Sequence, residues 1–261
     1  MTSIDKKQLF EYLDTYLNNA EYQDSSKNGV QIDTSKNSIS KIGYAVDATT
    51  YIFDKGKEQE VDLIITHHGI FWGYEEALVW VPYERVKRLI QADIALYACH
   101  LPLDAHSTVW NNIWLLKGFC HIFGLPEDEQ IVETFWKYKG KDVGFWLRFS
   151  REIHISSLQT LFADTLGLQK KLYNFWNKTT IKSVCFVSWQ WAKCTQEAQE
   201  KWYDVLVTGE AVHSEICRAK ELGISLFLWG HYETEKIGPK LLAHHIEKEF
   251  WLEVVYLDEK Y

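Results

Sequence analysis

The chain has 261 residues, 46% of them hydrophobic and 15% aromatic, with a formal net charge of -8 at pH 7. That length buries a sizeable core as one or two domains, and the composition excludes a disordered or fibrous chain. The acidic balance argues against a nucleic-acid duplex as the main partner, because phosphate contact needs basic surface.

Taken in chain order, the apolar periodicity predicts a helix over 5–20, a strand over 41–47, a helix over 50–59, a buried strand over 61–66, a helix over 82–92 and a strand over 94–99. This alternation predicts an α/β layer with mostly parallel strands, whose ligands gather beyond the carboxyl ends. From about residue 126 to 200 the pattern changes to the strand KDVGFWLRFS, a helix over 156–166 and the strand IKSVCFVS, read as an inserted domain. The chain then returns through a helix over 195–201, the strand YDVLVT, a helix over 211–221, the strand ISLFL, a helix over 234–250 and the strand LEVVYL. The expected organisation is an α/β domain of residues 1–125 with 201–261 and an inserted α/β domain of residues 126–200. No repeat or low-complexity linker stands out.

No apolar run is long enough to span a bilayer, and the opening MTSIDKKQLFEYLD is an amphipathic pattern with Asp and Glu, unlike a signal or transit peptide. The expected location is therefore cytoplasmic. The cysteines Cys99, Cys120, Cys185, Cys194 and Cys217 are odd in number and lack a C-x-x-C, which reads as reduced, mostly buried thiols.

Three apolar runs end in candidate ligands: VDLIITHHG with His67 and His68, IALYACHLPLD with Asp104, and GISLFLWGHYETE with His231 and Glu235. Adjacent histidines on a continuing strand point to opposite faces, but at a frayed end both can turn to one site. His231 and Glu235 share a face if a helix begins by His231. A single His-His dipeptide is weak evidence, and His244-His245 in a helical stretch reads as surface or packing. Asp104 alone would read as a cap or turn residue. Three such strand ends together point to metal. Imidazole with carboxylate suits Zn, Mn, Fe or Co, and five ligands suit two ions, with Glu235 or Asp104 as the bridge.

The segments NGVQI (28–32), VDAT (46–49), LIITHHGIFW (63–72), CHLPLDAH (99–106), VLVTGEAVHSE (205–215) and GHYETEKIGPKLLA (230–243) resemble the Nif-three-like dinuclear-metal-centre proteins, also called GTP cyclohydrolase type 2 homologues. The resemblance covers nearly the whole chain, and the family's metal ligands fall on His67, His68, Asp104, His231 and Glu235. It implies an α/β fold of two interlinked halves, a homohexamer with metal sites facing a cavity, and two divalent ions per chain. The function it suggests is metal-dependent hydrolysis of a nucleotide-like or phosphorylated small molecule; the alternative is a non-catalytic metal-binding assembly or regulatory adaptor. Candidate catalytic residues are Glu210 and His213 in and after the TGE segment and His100 beside Asp104, with Thr208 as a supporting group. Glu210 capping the next helix and His100 packing in the core are the plainer readings, and His106 flanks Asp104 in the same way. Asn28 with Gly29 reads as a turn. No P-loop or G-x-G-x-x-G turn is present, so phosphates would be bound by metal and side chains.

Twelve tryptophans is a high count. Helices that feed strands often end on a left-handed residue, nearly always Gly, because a Cβ there costs about 1–2 kcal/mol. DTLGLQ (Gly167) and KELGIS (Gly223) fit that rule, whereas QEKWYDVLV (Trp202) and EKEFWLEVVY (Trp251) place Trp in the same slot. Trp189, Trp191 and Trp229 also stand where the family pattern has glycine. Trp80, Trp110, Trp114, Trp136 and Trp176 are less clear instances, and Trp72 fits as it stands. GGA and UGA differ by one base, and some bacteria read UGA as glycine. The expectation is that many of these positions are glycines encoded by UGA; the alternative is a Trp-rich variant whose loops have adapted.

Overall fold

The computed structural model describes residues 2–74, 77–106, 111–125, 130–158, 170–190 and 192–259. The chain forms two compact units, residues 1–109 with 236–261 and residues 110–235. The first unit opens with β1 (Ile4–Asp5), α1 (Lys6–Tyr16), β2 (Gly29–Ile32), β3 (Ser38–Ile39), β4 (Lys41–Asp47), α2 (Thr50–Glu58), β5 (Leu63–His68), α3 (Trp80–Ala92), β6 (Ala95–Ala98) and α4 (Leu101–Ala105). The second unit holds α5 (Asn111–Phe123), β7 (Gln130–Tyr138), β8 (Lys141–His154), β9 (Lys171–Tyr173), β10 (Thr180–Val187), α6 (Thr195–Glu200), β11 (Val205–Thr208), α7 (His213–Leu222), β12 (Ser225–Leu228) and α8 (His231–Glu235). The chain then re-enters the first unit with α9 (Ile237–Phe250) and β13 (Glu253–Tyr256).

The first unit's sheet has the order β13-β4-β5-β6-β2, parallel except for β2 at its edge. Its middle strand is apolar on both sides because both faces are covered: Leu63 and Ile65 pack with Leu9, Leu13, Leu242 and Ile246, while Ile64 packs with Ile52, Phe53 and Leu89. α1 starts where Asp5 Oδ1 accepts the backbone N–H groups of Lys7 and Gln8 at 2.9 and 3.1 Å.

The second unit's sheet has the order β7-β8-β10-β11-β12-β9, with β10, β11 and β12 parallel and the rest antiparallel. It begins with a hairpin closed by Lys139 (φ 47°) and Gly140 (φ 83°), the two left-handed residues that a tight turn between twisted strands requires. The sequence pattern put the unit boundaries at 125/126 and 200/201, whereas the compact units divide at 109/110 and 235/236. The difference arises because β11 and β12 extend the ladder that β8 and β10 begin, a non-local pairing that periodicity does not report.

Both units lock their central parallel strand by the same device. Asp62, just before β5, accepts the backbone N–H groups of Ser40 and Lys41, the Ser40 hydroxyl and the Lys36 ammonium. Asp204, just before β11, accepts those of Lys182 and Ser183, the Ser183 hydroxyl and the Lys178 ammonium. In each unit the third parallel strand then leads to His-x-x-x-acid, His100 to Asp104 and His231 to Glu235. This repeat is hidden in the sequence because so few identities mark it.

Among the described residues, six tryptophans have left-handed backbones: Trp80 (φ 52°), Trp136 (59°), Trp176 (68°), Trp189 (62°), Trp202 (60°) and Trp251 (57°). Trp251 closes α9 in the conformation that Gly223 (φ 73°) adopts at the end of α7. Two more of the tryptophans expected to stand for glycine do not share it: Trp114 lies inside α5, and Trp229 follows β12 without a positive φ. Trp110, Trp191 and Gly167 lie outside the described residues, as does most of the helix expected over 156–166. No described helix is long and apolar enough to cross a membrane.

Candidate metal centre

In the first unit, His67 and His68 end β5 in register with the last residues of β4. Gly69 lets the chain turn directly after them, since a Cβ there would lie 2.3–2.6 Å from the Gln31 amide and the Ala98 Cβ. Gln31 Oε1 in turn accepts the Ile70 and Phe71 N–H groups at 2.7 and 3.1 Å, fixing the exit from the strand. The rings of His67 and His68 sit 4.7 Å apart between centroids, and the His100 ring lies 5.1 and 5.7 Å from them. One ligand atom from each of these three histidines lies within 4.8 Å of the others. Asp104, 2% exposed on the short helix α4, places Oδ2 at 3.6 Å from His67 Nε2.

Each of these imidazoles is held through Nδ1. His67 Nδ1 meets the Cys99 carbonyl at 3.0 Å, His68 Nδ1 meets Asp47 Oδ1 at 2.8 Å, and His100 Nδ1 meets Asp24 Oδ1 at 3.0 Å. A carbonyl or carboxylate oxygen only accepts, so Nδ1 carries a proton and Nε2 is left as the nitrogen that would bind a metal. The sequence reading missed Asp24 and undervalued Asn28. Asn28 Oδ1 accepts the His100 N–H at 2.8 Å, its amide donates to Asp24 Oδ2 at 3.0 Å, and Asp24 Oδ2 also accepts the Leu101 N–H at 2.9 Å. Burial by itself would raise the Asp24 pKa, but the hydrogen bonds from His100, Asn28 and Leu101 overcome it and hold the carboxyl well below the ordinary carboxylate range. A His at the end of a strand followed by an acid four residues later was visible; the distant carboxylate that orients it was not. His106 instead meets the Tyr16 carbonyl at 2.8 Å and packs on the Tyr16 ring, which is the packing role.

In the second unit, Gly230 (φ 102°) lies between β12 and α8 and His231 begins α8, so His231 and Glu235 do share a helical face. His231 Nε2 lies 3.1 Å from Glu235 Oε2, and Glu235 is fully buried. Glu210 Oε1 holds His231 Nδ1 at 2.9 Å, which sets the same tautomer as in the first unit. Glu210 does not cap the following helix; there the Val212 N–H goes to Glu215 Oε2 at 3.0 Å. The turn after β11 is pinned by the Trp189 carbonyl, which accepts from the Thr208 hydroxyl and the Glu210 N–H, both at 3.0 Å. His213, exposed at the start of α7, has its Nε2 3.5 Å from Cys217 Sγ.

The donor set fits divalent transition metals. In each unit imidazoles held at Nδ1 stand beside a buried carboxylate, and burial pushes the Cys99 thiol well up, away from the thiolate form that binds metal.

A family model described as Duf34/NIF3 (NGG1p interacting factor 3) matches residues 4–260. A GTP cyclohydrolase 1 type 2 homolog of Pyrococcus horikoshii is 34% identical over 98% of both chains, and that of Archaeoglobus fulgidus is 32% identical over 96% of both. A crystal structure from Thermus thermophilus is similar over 99% of both chains, at 35% identity and a TM-score of 0.82. Reduced HcgD from Methanocaldococcus jannaschii, at 20% identity and a TM-score of 0.81 over 99% of this chain and 100% of that one, shares the fold. The chain belongs to the Duf34/NIF3 family.

Proposed function

We propose that this chain is a metal-dependent hydrolase of a nucleotide-like or phosphorylated small molecule, with His67, His68, Asp104, His231 and Glu235 as the ligands of two divalent cations. The observation that supports the reading best is the shared tautomer: His67, His68 and His231 each have Nδ1 on an oxygen acceptor, which fixes Nε2 as the donor. Two such cations supply Lewis acidity and lower the pKa of a water toward about 7. Glu210 orients His231 and Asp47 orients His68, so these carboxylates act through the ligands and not on the substrate. His213 is assigned the proton relay, and His100 orients a ligand or contacts substrate. The relatives' name, GTP cyclohydrolase 1 type 2 homolog, supports a nucleotide as the first substrate to try.

The test is a turnover screen of the metal-loaded protein against GTP, other nucleotides, cyclic dinucleotides and generic phosphoesters, with Glu235→Ala beside it. Turnover by wild type that Glu235→Ala lacks supports the hydrolase. Equal rates for both mean a contaminant and favour the second reading, a metal-binding assembly or adaptor. One observation favours that reading: Leu78, Val79, Val81, Tyr83 and Ile90 expose an apolar surface on and before α3. The assembly proposed is a homohexamer in the cytoplasm, and light scattering that gives the mass of one chain contradicts it.

A further inference from the structure

We propose that His100 is itself a metal ligand, binding through Nε2 alongside His67 and His68, and that Asp24 is the positioning residue that aims it. The proposal rests on the metal reading above and extends it by one ligand. Three imidazoles around one tetrahedral cation, with metal–nitrogen bonds of about 2.0–2.1 Å, bring their ring centroids to roughly 5 Å from one another. The three centroid separations here are 4.7, 5.1 and 5.7 Å, and ligand atoms of the three lie within 4.8 Å of one another. His100 and Asp24 are each 2% exposed at the side chain. The loop of Asp24 and Asn28 fixes His100 at two points, its backbone N–H through Asn28 Oδ1 and its ring through Asp24. A histidine that merely filled space would not need its ring tautomer and its backbone both set by buried polar groups. A ligand does, because the lone pair must point at the ion.

The experiment is titration of the metal-free full-length protein with Co²⁺, reading the visible d–d absorption and the number of ions bound, for wild type, His100→Gln and Asp24→Asn, with circular dichroism as the folding check. His100→Gln is expected to change the spectrum and weaken one of the ions by at least 100-fold. Asp24→Asn keeps the ring's acceptor but removes the charge, and is expected to weaken the same ion by about 10–100-fold. Wild-type affinity and spectrum in both folded variants would overturn the ligand role while leaving the metal reading intact; wild type that binds no Co²⁺ would overturn both. If His100→Gln does not fold, Asp24→Asn decides alone.

A separate observation carries a second inference. The left-handed backbones fall on Trp80, Trp136, Trp176, Trp189, Trp202 and Trp251, all among the positions expected from sequence to stand for glycine; the other described tryptophans, Trp72, Trp114, Trp146 and Trp229, lack them. A bulky residue is an outlier in that region and glycine is its ordinary occupant. Trp80, Trp202 and Trp251 are also 80–86% exposed, so no burial of the indole accounts for their presence. We infer that the fold is built for glycine at these six positions and that their codons are UGA read as glycine. At Trp189 this bears on the site, because the indole ring lies 6.3 Å from the His231 ring and a glycine would open that approach. Sequencing the coding DNA is the test. UGA at the six positions with UGG at Trp72 and Trp146 is expected; UGG at the six overturns the inference.

Discussion

The two units deploy one plan with different chemistry. Each pins its central parallel strand through an aspartate, Asp62 or Asp204, and each ends its third parallel strand near His-x-x-x-acid. At the end of the central strand they diverge: Thr66 leads to His67 and His68, while Thr208 leads to Gly209 and Glu210. In the first unit that position supplies imidazoles held by Cys99 and Asp47. In the second it supplies the carboxylate that holds His231. The same backbone position thus carries an imidazole in one unit and, in the other, the carboxylate that holds an imidazole.

The comparison breaks most visibly at the buried carboxylates. If Glu235 bridges two cations, Glu235→Gln is expected to lose both ions, because the neutral amide no longer offsets their mutual repulsion. His68→Ala and Asp104→Ala should each chiefly lose one, by elemental analysis of folded protein. Retention of both ions in Glu235→Gln together with loss of both in Asp104→Ala would move the bridge to Asp104. The holder role of Glu210 is worth less: Glu210→Gln should weaken metal binding by about 10–100-fold without emptying the protein at saturating metal, and an unchanged affinity would remove that role.

A smaller, structural effect is expected at Gly209. A Cβ there would lie 2.6 Å from the Trp189 carbonyl oxygen and 2.9 Å from the His231 Cα, both backbone atoms that cannot swing aside. Gly209→Ala should therefore cost about 1–3 kcal/mol in chemical denaturation, and a neutral result would mean that the crossing is looser than these distances require.

The smallest effect concerns the shared aspartates. Burial raises the pKa values of Asp62 and Asp204, but the bonds from Lys36 and Ser40, and from Lys178, Lys182 and Ser183, lower both below the ordinary value. A depressed folded pKa gives stability that is present above the unfolded value of about 3.9 and lost as pH falls through the folded one. Asp62→Asn and Asp204→Asn should each flatten the acid limb of stability against pH below about 4. An unaltered acid limb would contradict the shared pinning role.

Much of this was legible in the sequence because strands buried on both faces read as unbroken apolar runs. The strand expected over 41–47 is Lys41–Asp47, and the candidate ligands stand at or just after strand ends. The face shared by His231 and Glu235 was legible only on condition that a helix begins by His231, which the separate helix α8 meets. Three things were not legible. The membership of β11 and β12 in the second sheet depends on pairing with β10 and not on local pattern. The role of Asp24 depends on a contact spanning 76 residues. The repeat rests on geometry around Asp62 and Asp204 that two short sequences barely share. The left-handed backbones at Trp202 and Trp251, by contrast, were readable from the helix-end rule, since a Cβ is costly there whatever the packing, whereas Trp189 rested on the family pattern.

The central claim is that these histidines and carboxylates hold two cations. Full-length protein, stripped and reconstituted with Zn²⁺ or Mn²⁺, should carry about two ions per chain by elemental analysis, because five nitrogen and oxygen ligands overfill one tetrahedral site but leave open positions on two. One ion or fewer per chain after reconstitution would contradict the account.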